Sequence, residues 1–279
     1  MKKISVTIFI CMFYTCLLFA QTAADSLSIV SIRWDIEKVR KGVVWKKAQT
    51  TVFGAPQSIQ ILEIKPTKRN RLAIGYCVDT LITTSSLCRQ ANAIAGVNAS
   101  FFDMKNGGSV DYMRVNGKMI HAGSIAARAN AALVIQKKNF RIVKQPQDND
   151  SLWVHKLVGD NIMVTGPFLV DQGIIKNLQN SSDAPRHPRT CAAIRFNGTI
   201  LLVTVDGRHD GKAAGMSLYE LAFFLKILGA KQAANLDGGG STTMFVKNKG
   251  RNGVVNYPSD NRKFDHEGER KVANIVYIK

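Results

Sequence analysis

Two aspartate–glycine pairs each follow an apolar, β-type run: Asp206 follows Thr199 to Val205, and Asp237 follows Gln232 to Leu236. Two carboxyl groups flanking a bond are the usual machinery for hydrolysis at an acetal carbon, one as acid and one as nucleophile or base. A single Asp-Gly is most often only a turn. Two of them at the ends of successive strands make a candidate catalytic pair, with Asp237 as nucleophile or base and Asp206 as acid or stabiliser.

A glycine run extends the second pair. Gly238, Gly239 and Gly240 follow Asp237, and Ser241, Thr242 and Thr243 come next. Backbone without side chains lets amide groups approach an oxyanion or a phosphate, and the hydroxyls add further donors. The alternative is a turn that needs positive φ, which one or two glycines would satisfy. The run therefore predicts a functional loop that contacts an anion.

Two arginines, Arg189 and Arg208, are candidates for gripping that anion, because a guanidinium forms a two-pronged hydrogen bond that lysine cannot match. Either arginine alone is more often a surface residue. Other templates fail: Gly207 to Ala213 lacks the spacing and terminal hydroxyl of a nucleotide-binding loop, and the five histidines have no zinc spacing. No metal site or cofactor is predicted, although the pattern leaves a divalent ion open.

The elements around these residues follow a strand, helix, strand order. Ser217 and Glu220 form a capping-box sequence that starts a helix, and Gly229 supplies its left-handed stop. If the flanking strands run parallel in one sheet, this βαβ unit brings Asp206 and Asp237 to the same sheet edge, where ligands usually bind.

The first half reads as mostly β. A β-rich part over about residues 26–80 precedes a motif-bearing part over about 90–279. Thr83 can cap a short helix through Asn92, and Asn116-Gly117 predicts a tight hairpin. The predicted class is α+β, a mixed β-sheet with flanking helices. The individual strand-like runs are Ser26 to Arg33, Thr51 to Phe53, Ser58 to Ile64, Arg71 to Val78 and Ala93 to Val97, the last ending at Asn98.

The chain begins with the layout of a secretory signal peptide over residues 1–20: a basic start, an apolar run from Ile4 to Phe19, and small residues for cleavage. A membrane anchor is the alternative, but the run is at the short limit of the roughly 17 to 25 residues that a spanning helix needs. We expect export to the periplasm or medium, with a mature domain over residues 21–279 and no stable membrane anchor.

Composition constrains the partners. The formal net charge is +18, which falls to +16 when Lys2 and Lys3 leave with the leader. Such an excess favours anionic ligands, although a solvated basic surface is the simpler explanation. For an exported protein, acidic glycans, phosphate-bearing polymers such as a phosphate-bearing carbohydrate, and headgroups are better candidates than nucleic acid. Of the mature cysteines, Cys77 and Cys88 can bridge in an oxidising compartment, and Cys191 is expected to be a buried thiol.

The ordered set of motifs resembles the phosphodiester glycosidase family over about the last two thirds of the chain. The matching segments are Gly96 to Asp103, Gly166-Pro167, Arg189-Thr190, Val205 to Arg208, Gly215 to Ser217 and Asn235 to Thr243. The resemblance implies an α+β fold and removal of a sugar from a sugar-1-phosphodiester; the family's animal member acts on an N-acetylglucosamine-1-phosphodiester.

The resemblance also implies roles. Asp206 and Asp237 become the central carboxylates, and Arg189 and Arg208 the phosphate or sugar contacts. The expected substrate-binding groups are Asn98, Asp103, Thr190, Gly238, Gly239, Gly240, Ser241 and Thr242. Two other functions stay open: a binding protein that holds an anionic envelope glycan without cutting it, and a phosphodiesterase that attacks phosphorus.

Overall fold

The structure is a computed structural model that describes residues 23–123, 129–147, 150, 152–176, 178, 185–250 and 252–279. The predicted leader and the start of the mature chain at Gln21 lie outside the described residues. The described part is mostly β, with three helices: α1 (residues 23–30), α2 (Thr84–Gln90) and α3 (Leu218–Ile227). The predicted α+β class is confirmed.

Nineteen strands are described. They are β1 Asp35–Arg40, β2 Val43–Val52, β3 Ala55–Ile64, β4 Leu72–Tyr76, β5 Ile82–Thr83, β6 Ala95–Asn98, β7 Met113–Val115, β8 Lys118–His121, β9 Ala131–Gln136, β10 Asn139–Lys144, β11 Asn161–Thr165, β12 Phe168–Asp171, β13 Ile174–Ile175, β14 Arg189–Arg195, β15 Ile200–Val205, β16 Ala230–Asn235, β17 Met244–Val246, β18 Lys271–Val272 and β19 Asn274–Ile278.

An eight-stranded sheet carries most of the predicted motifs, in the order β1-β2-β3-β15-β14-β16-β12-β13. A five-stranded sheet (β10-β9-β11-β7-β8) and a four-stranded sheet (β17-β6-β19-β4) lie beside it, with a two-stranded pair β18-β5. One hydrophobic core joins the β-rich first part to the motif-bearing part, since Trp45 and Leu62 cluster with Leu202 and Val276.

The predicted mixed sheet is wrong, and the β15-α3-β16 unit does not consist of neighbouring strands. Every ladder between the described strands is antiparallel. Strands β15 and β16 are not hydrogen-bonded to each other, because β14 lies between them and is antiparallel to both. The reason is a tight turn at Asn197-Gly198, which folds β14 and β15 into a hairpin. Both β15 and β16 nevertheless run in the same direction and end at the same edge.

Local signals explain several elements. Helix α3 starts with the full capping box, in which Ser217 accepts from the Glu220 amide and the Glu220 carboxylate accepts from the Ser217 amide. Helix α2 is capped by Thr83. The predicted hairpin has Asn116 at φ 50° and Gly117 at φ 78°, as a primed turn requires. These three predictions are confirmed.

The strand predicted at Ser26 to Arg33 is wrong, because residues 23–30 form helix α1. Ile29 and Ile32, three residues apart, are buried, whereas Leu27 and Val30 face solvent. That spacing is helical rather than alternating. In the β2–β3 hairpin the turn is at Phe53-Gly54, so β2 ends at Val52 and β3 begins at Ala55, three residues before the predicted run at Ser58.

The three described cysteines are free, with Cys88 and Cys191 buried and Cys77 partly exposed. The possible Cys77–Cys88 bridge is therefore not formed. In the described ranges no helix has the length and apolar character that crossing a bilayer requires.

Candidate active site

The two aspartate–glycine turns meet at one edge of the eight-stranded sheet. Pro188, the residue just before β14, packs against both of these turns. A Cβ atom built on Gly207 would be 2.8 Å from the Pro188 nitrogen, and one built on Gly238 would be 2.7 Å from the Pro188 oxygen. The Gly239 amide also donates to the Pro188 oxygen at 2.8 Å. Only glycine fits where backbones approach this closely, so the glycines bring the ends of β15 and β16 together.

Asn98 connects the end of β6 to this edge. Its side-chain amide donates to the Asp237 carbonyl at 2.6 Å, and its Oδ1 accepts from the Thr190 hydroxyl at 2.7 Å and the Thr243 amide at 3.1 Å. Asn98 and Thr190 are fully buried. Both residues were predicted to contact substrate. In this structure they hold the surrounding loops in position from beneath.

Asp206 is sealed inside the protein, with only 1% of its surface exposed. Its carboxylate accepts from the Ser58 hydroxyl at 2.6 Å, the Asn256 amide at 2.8 Å and the Tyr257 backbone amide at 3.0 Å. Burial raises the pKa of Asp206, although the three donors act in the opposite direction. Because the buried Asp206 carboxylate accepts hydrogen bonds from residues 256 and 257, it holds that loop in position.

Asp237 differs from Asp206 because its surface is partly exposed. Its backbone amide donates to the Ala99 carbonyl at 2.7 Å, so the chain leaves β16 and crosses to the end of β6. The glycine run then begins at once, with a short 3-10 turn at Gly239–Ser241. A partly exposed aspartate thus directly precedes the loop that was predicted to contact an anion.

Arg208 lies over the glycine loop. The position that a Gly239 Cβ would take is 3.1 Å from the Arg208 Nη2 atom. Arg208 is exposed, and its backbone has φ 65°, a left-handed conformation that costs a non-glycine residue about 1 to 2 kcal/mol. Strain of this kind is concentrated at functional sites. The predicted juxtaposition of Arg208 with the glycine run is thus present.

Arg189 lies beside Arg208 and is largely buried. Its Nε donates to the Met216 carbonyl at 2.8 Å. Burial, together with the Arg208 charge, lowers the pKa of Arg189 to about 10. In the described part of the chain neither arginine has a salt-bridge partner. Two neighbouring cations without a paired carboxylate form a site that an anion would stabilise.

The hydroxyls after the glycine run point inward. Ser241, Thr242 and Thr243 are buried, and their side-chain oxygens have no hydrogen-bond partner among the described residues. Gly240 is buried as well. Each unpaired buried hydroxyl lowers the stability of the fold by about 1 to 3 kcal/mol. Three such hydroxyls therefore make the loop next to Asp237 less stable than a fully hydrogen-bonded loop would be.

Asp103, a predicted substrate contact, is used by its own loop. Its carboxylate accepts from the Lys105 and Asn106 amides, at 2.7 and 3.0 Å, and from the Asn106 side chain at 2.8 Å. These hydrogen bonds lower the pKa of Asp103. The structure therefore gives Asp103 a turn-forming role.

Sequence reasoning missed several residues that shape the site. Arg270 packs on the glycine loop: a Gly240 Cβ would be 2.4 Å from its Nη2 atom, and it pairs with Asp260 at 2.5 Å. His187 lies close enough to both site arginines that their charges, after burial, lower its pKa. Ser58 and Asn256 hold Asp206. Ser58, Asn256 and Arg270 come from segments distant in the chain, whereas His187 lies only two residues before Arg189 and belongs to no recognised motif.

No group of three or more histidine, cysteine, aspartate or glutamate side chains in the described ranges is placed to hold a metal ion. The groups that this edge of the sheet offers are one partly exposed aspartate, two neighbouring guanidinium groups and a glycine loop. Such a set can bind an oxyanion and act on the atom bonded to it.

A family model of phosphodiester glycosidases matches residues 91–279. The chain belongs to the phosphodiester glycosidase family. The match covers the strands and loops that form the site, from Asn98 to the glycine run.

Relatives are distant. A SPbeta prophage-derived uncharacterized protein, YomE, of Bacillus subtilis (strain 168) is 23% identical over 216 residues, which is 70% of this chain and 33% of the relative. The chain therefore spans about a third of the length of that protein.

Solved structures share the fold. The catalytic domain of zebrafish N-acetylglucosamine-1-phosphodiester alpha-N-acetylglucosaminidase, auto-inhibited by its pro-peptide, aligns with a TM-score of 0.65 at 18% identity, covering 89% of this chain and 82% of that one. A hypothetical protein from Synechocystis aligns at 0.59 and 17% identity, covering 89% of this chain and 64% of that one. A putative exported protein from Burkholderia pseudomallei aligns at 0.51 and 16% identity, covering 82% and 75%.

Proposed function

We propose that this phosphodiester glycosidase is an exported hydrolase that removes a sugar from a sugar-1-phosphodiester. The observation that carries the proposal is the position of Arg208 over the Gly239 backbone, beside Arg189 and directly after the partly exposed Asp237. Family membership supports the substrate class, and the net charge of +18 supports an anionic substrate.

The phosphate of the substrate would lie between the guanidinium groups and the glycine loop. Arg208 is exposed and can form a two-pronged hydrogen bond with phosphate oxygens. Arg189 is held rigid by Met216, so it keeps its orientation as substrate enters. Stabilising charge on the leaving phosphate reduces the need for a strong proton donor, because the second pKa of a phosphomonoester is about 6.

Asp237 is assigned the role of nucleophile or water-activating base at the anomeric carbon. Asp206 is assigned a different role from the one that its sequence position suggested. Because it is sealed and holds Ser58, Asn256 and Tyr257, we assign it to positioning the loop rather than to contact with the sugar. Asn98 and Thr190 act in the same way, as positioning residues for the Asp237 backbone.

A non-catalytic role in binding an anionic envelope glycan is the second candidate. The observation that favours it is the burial of Asp206, since the described site then offers one accessible carboxylate of the two predicted. Both functions use the same arginines, so binding alone does not separate them.

The test is a turnover screen of the purified protein, without residues 1–20, against a panel of sugar-1-phosphodiesters. The matched variants are Asp237→Asn and Asp103→Asn, which remove the same charge from two loops. We expect free sugar and a phosphomonoester from the wild type and from Asp103→Asn, and none from Asp237→Asn. Saturable binding without turnover by the wild type would instead identify a binding protein.

A further inference from the structure

A second cleft lies at the opposite end of the eight-stranded sheet from Asp206. It has a volume of about 720 Å³ and lies between the start of β2, the segment after β3 and the β14–β15 turn. Strands β3 and β15 connect the two ends, because Ile64 pairs with Ile200 at the cleft and Ile59 pairs with Val205 at the site. Six strand residues place the cleft roughly 20 Å from the active-site edge.

The cleft, here named the basic cleft, is lined by five cationic side chains and one carboxylate: Lys41, Lys65, Lys68, Arg69, Arg195 and Glu63. The carboxylate is already neutralised, since Glu63 pairs with Lys46 and Arg195, each at 2.9 Å. The other four cations are exposed and have no salt-bridge partner in the described part of the chain.

The backbone that carries these cations is fixed by a buried asparagine. Asn70 is 2% exposed, and its side-chain amide donates to the Lys41 carbonyl at 3.0 Å and the Lys65 carbonyl at 3.2 Å. The Lys65 amide donates to the Gly42 carbonyl at 2.8 Å, and Gly42 has φ 82°. Two turns are thereby joined, so the lysines on them are held near one another despite their mutual repulsion.

Holding unpaired like charges together is unfavourable unless an anion binds among them. We infer that the basic cleft is a second binding site, separate from the active site, for a flexible polyanion with repeating phosphate groups. Lysine ammonium groups are compact point charges that suit phosphates arriving in many orientations. A phosphate polymer anchored here would raise the local concentration of its own linkages near the active site.

Phosphate polymer is favoured over nucleic acid by the lining. Among the described residues of the basic cleft none is aromatic, whereas single-stranded nucleic acid is usually held by stacking of bases on aromatic rings. A single phosphate would contact only some of the cationic side chains in the basic cleft. The affinity for polyphosphate should therefore increase with the length of the polyphosphate chain.

The test measures binding of linear inorganic polyphosphate to three forms of the full chain without residues 1–20: the wild type, Lys65→Glu with Lys68→Glu, and Lys118→Glu with Lys226→Glu. The two double variants change net charge equally, but the second pair lies outside the basic cleft. We expect about tenfold or greater weakening for the cleft variant at low salt, because two contacts are lost and repulsion is added. The control should change less than threefold, and wild-type affinity should fall with salt.

Equal weakening by both double variants, or wild-type binding no tighter than that of inorganic phosphate, would overturn the inference. So would tighter binding of single-stranded DNA of matched charge, which would indicate a nucleic-acid site. Asp237→Asn should bind polyphosphate like the wild type. Polyphosphate binding thus tests the basic cleft alone. The proposed hydrolase activity is tested separately, by turnover of a small sugar-1-phosphodiester.

Discussion

The two aspartate–glycine turns look alike in the sequence but are used differently in the structure. Asp206 is 1% exposed and accepts three hydrogen bonds from inside the protein. Asp237 keeps part of its surface exposed, next to a glycine loop and Arg208. The strand neighbours explain the difference. Past Val205 the chain keeps its pairing with β3, since the Asp206 amide donates to the Ser58 carbonyl, whereas the Asp237 amide leaves the sheet for Ala99.

A position at the end of a strand is therefore not enough to place a side chain in a cleft. A carboxylate whose backbone stays in the ladder is surrounded by the neighbouring strand. A carboxylate whose backbone crosses to another sheet lies where the sheets separate. The different roles that we propose for Asp206 and Asp237 follow from backbone pairing rather than from residue type.

The largest expected effect comes from Asp237→Asn. We expect turnover of a sugar-1-phosphodiester to fall by about 10²- to 10⁴-fold, the range for loss of a positioned acid, base or nucleophile. Thermal unfolding should change little, because asparagine has nearly the same size as aspartate and the backbone hydrogen bonds of residue 237 to Ala99 and Asn98 remain. Rates and melting curves for both proteins check this. A variant with wild-type turnover would remove Asp237 from the chemistry.

The next effect is on stability. Asp206→Ala should lower the free energy of unfolding by about 3 kcal/mol, since the Ser58, Asn256 and Tyr257 donors lose their acceptor in a buried place. Asp206→Asn keeps one acceptor oxygen and should cost about 1 kcal/mol while retaining turnover. Denaturant unfolding and kinetics are the measurements. Complete loss of turnover in a stably folded Asp206→Asn protein would show that Asp206 takes part in catalysis.

A smaller effect is expected at the arginines. Arg208→Lys should weaken the binding of a sugar-1-phosphodiester by about tenfold, because a lysine cannot form the two-pronged contact. Arg262→Lys is the matched control, since Arg262 is also exposed and has a positive φ of 59°. Titration calorimetry with the Asp237→Asn background gives both affinities. Equal affinities would exclude Arg208 as a phosphate contact.

The smallest effect concerns pH. Burial and the two site arginines lower the pKa of His187 below its ordinary 6.5, so the unfolded chain takes up this proton first as pH falls. His187 therefore lowers the free energy of unfolding below about pH 6.5, and it has no effect on that free energy at higher pH. His187→Gln should reduce this acid-side loss by less than about 1 kcal/mol. Unfolding curves at several pH values check the sign, and a steeper acid-side loss in the variant would contradict it.

Much of the architecture is readable from the sequence, because the signals are local. The capping box at Ser217, the cap at Thr83 and the Asn116-Gly117 turn each act within a few residues. Strand β14 was not predicted, although Asn197-Gly198, the turn that joins it to β15, is itself a local hairpin signal. The false strand at Ser26 to Arg33 arose because Leu27 and Val30 are apolar but exposed.

The candidate site is predictable in part. The glycine run and Arg208 belong together in both sequence and structure, because glycine marks close backbone approach. The burial of Asp206, Asn98 and Thr190 was not predictable, since the hydrogen bonds that bury them come from segments far away in the chain. Arg270 likewise reaches the glycine loop from a distant segment, and His187, although it is close to Arg189 in the chain, belongs to no motif.

The most direct test of the central claim is hydrolysis of a sugar-1-phosphodiester in heavy-oxygen water, with mass spectrometry of both products. Asp237, acting beside a phosphate held by Arg189 and Arg208, predicts that the label enters the anomeric hydroxyl of the released sugar and that the phosphomonoester stays unlabelled. Label in the phosphate would show attack at phosphorus and contradict the account.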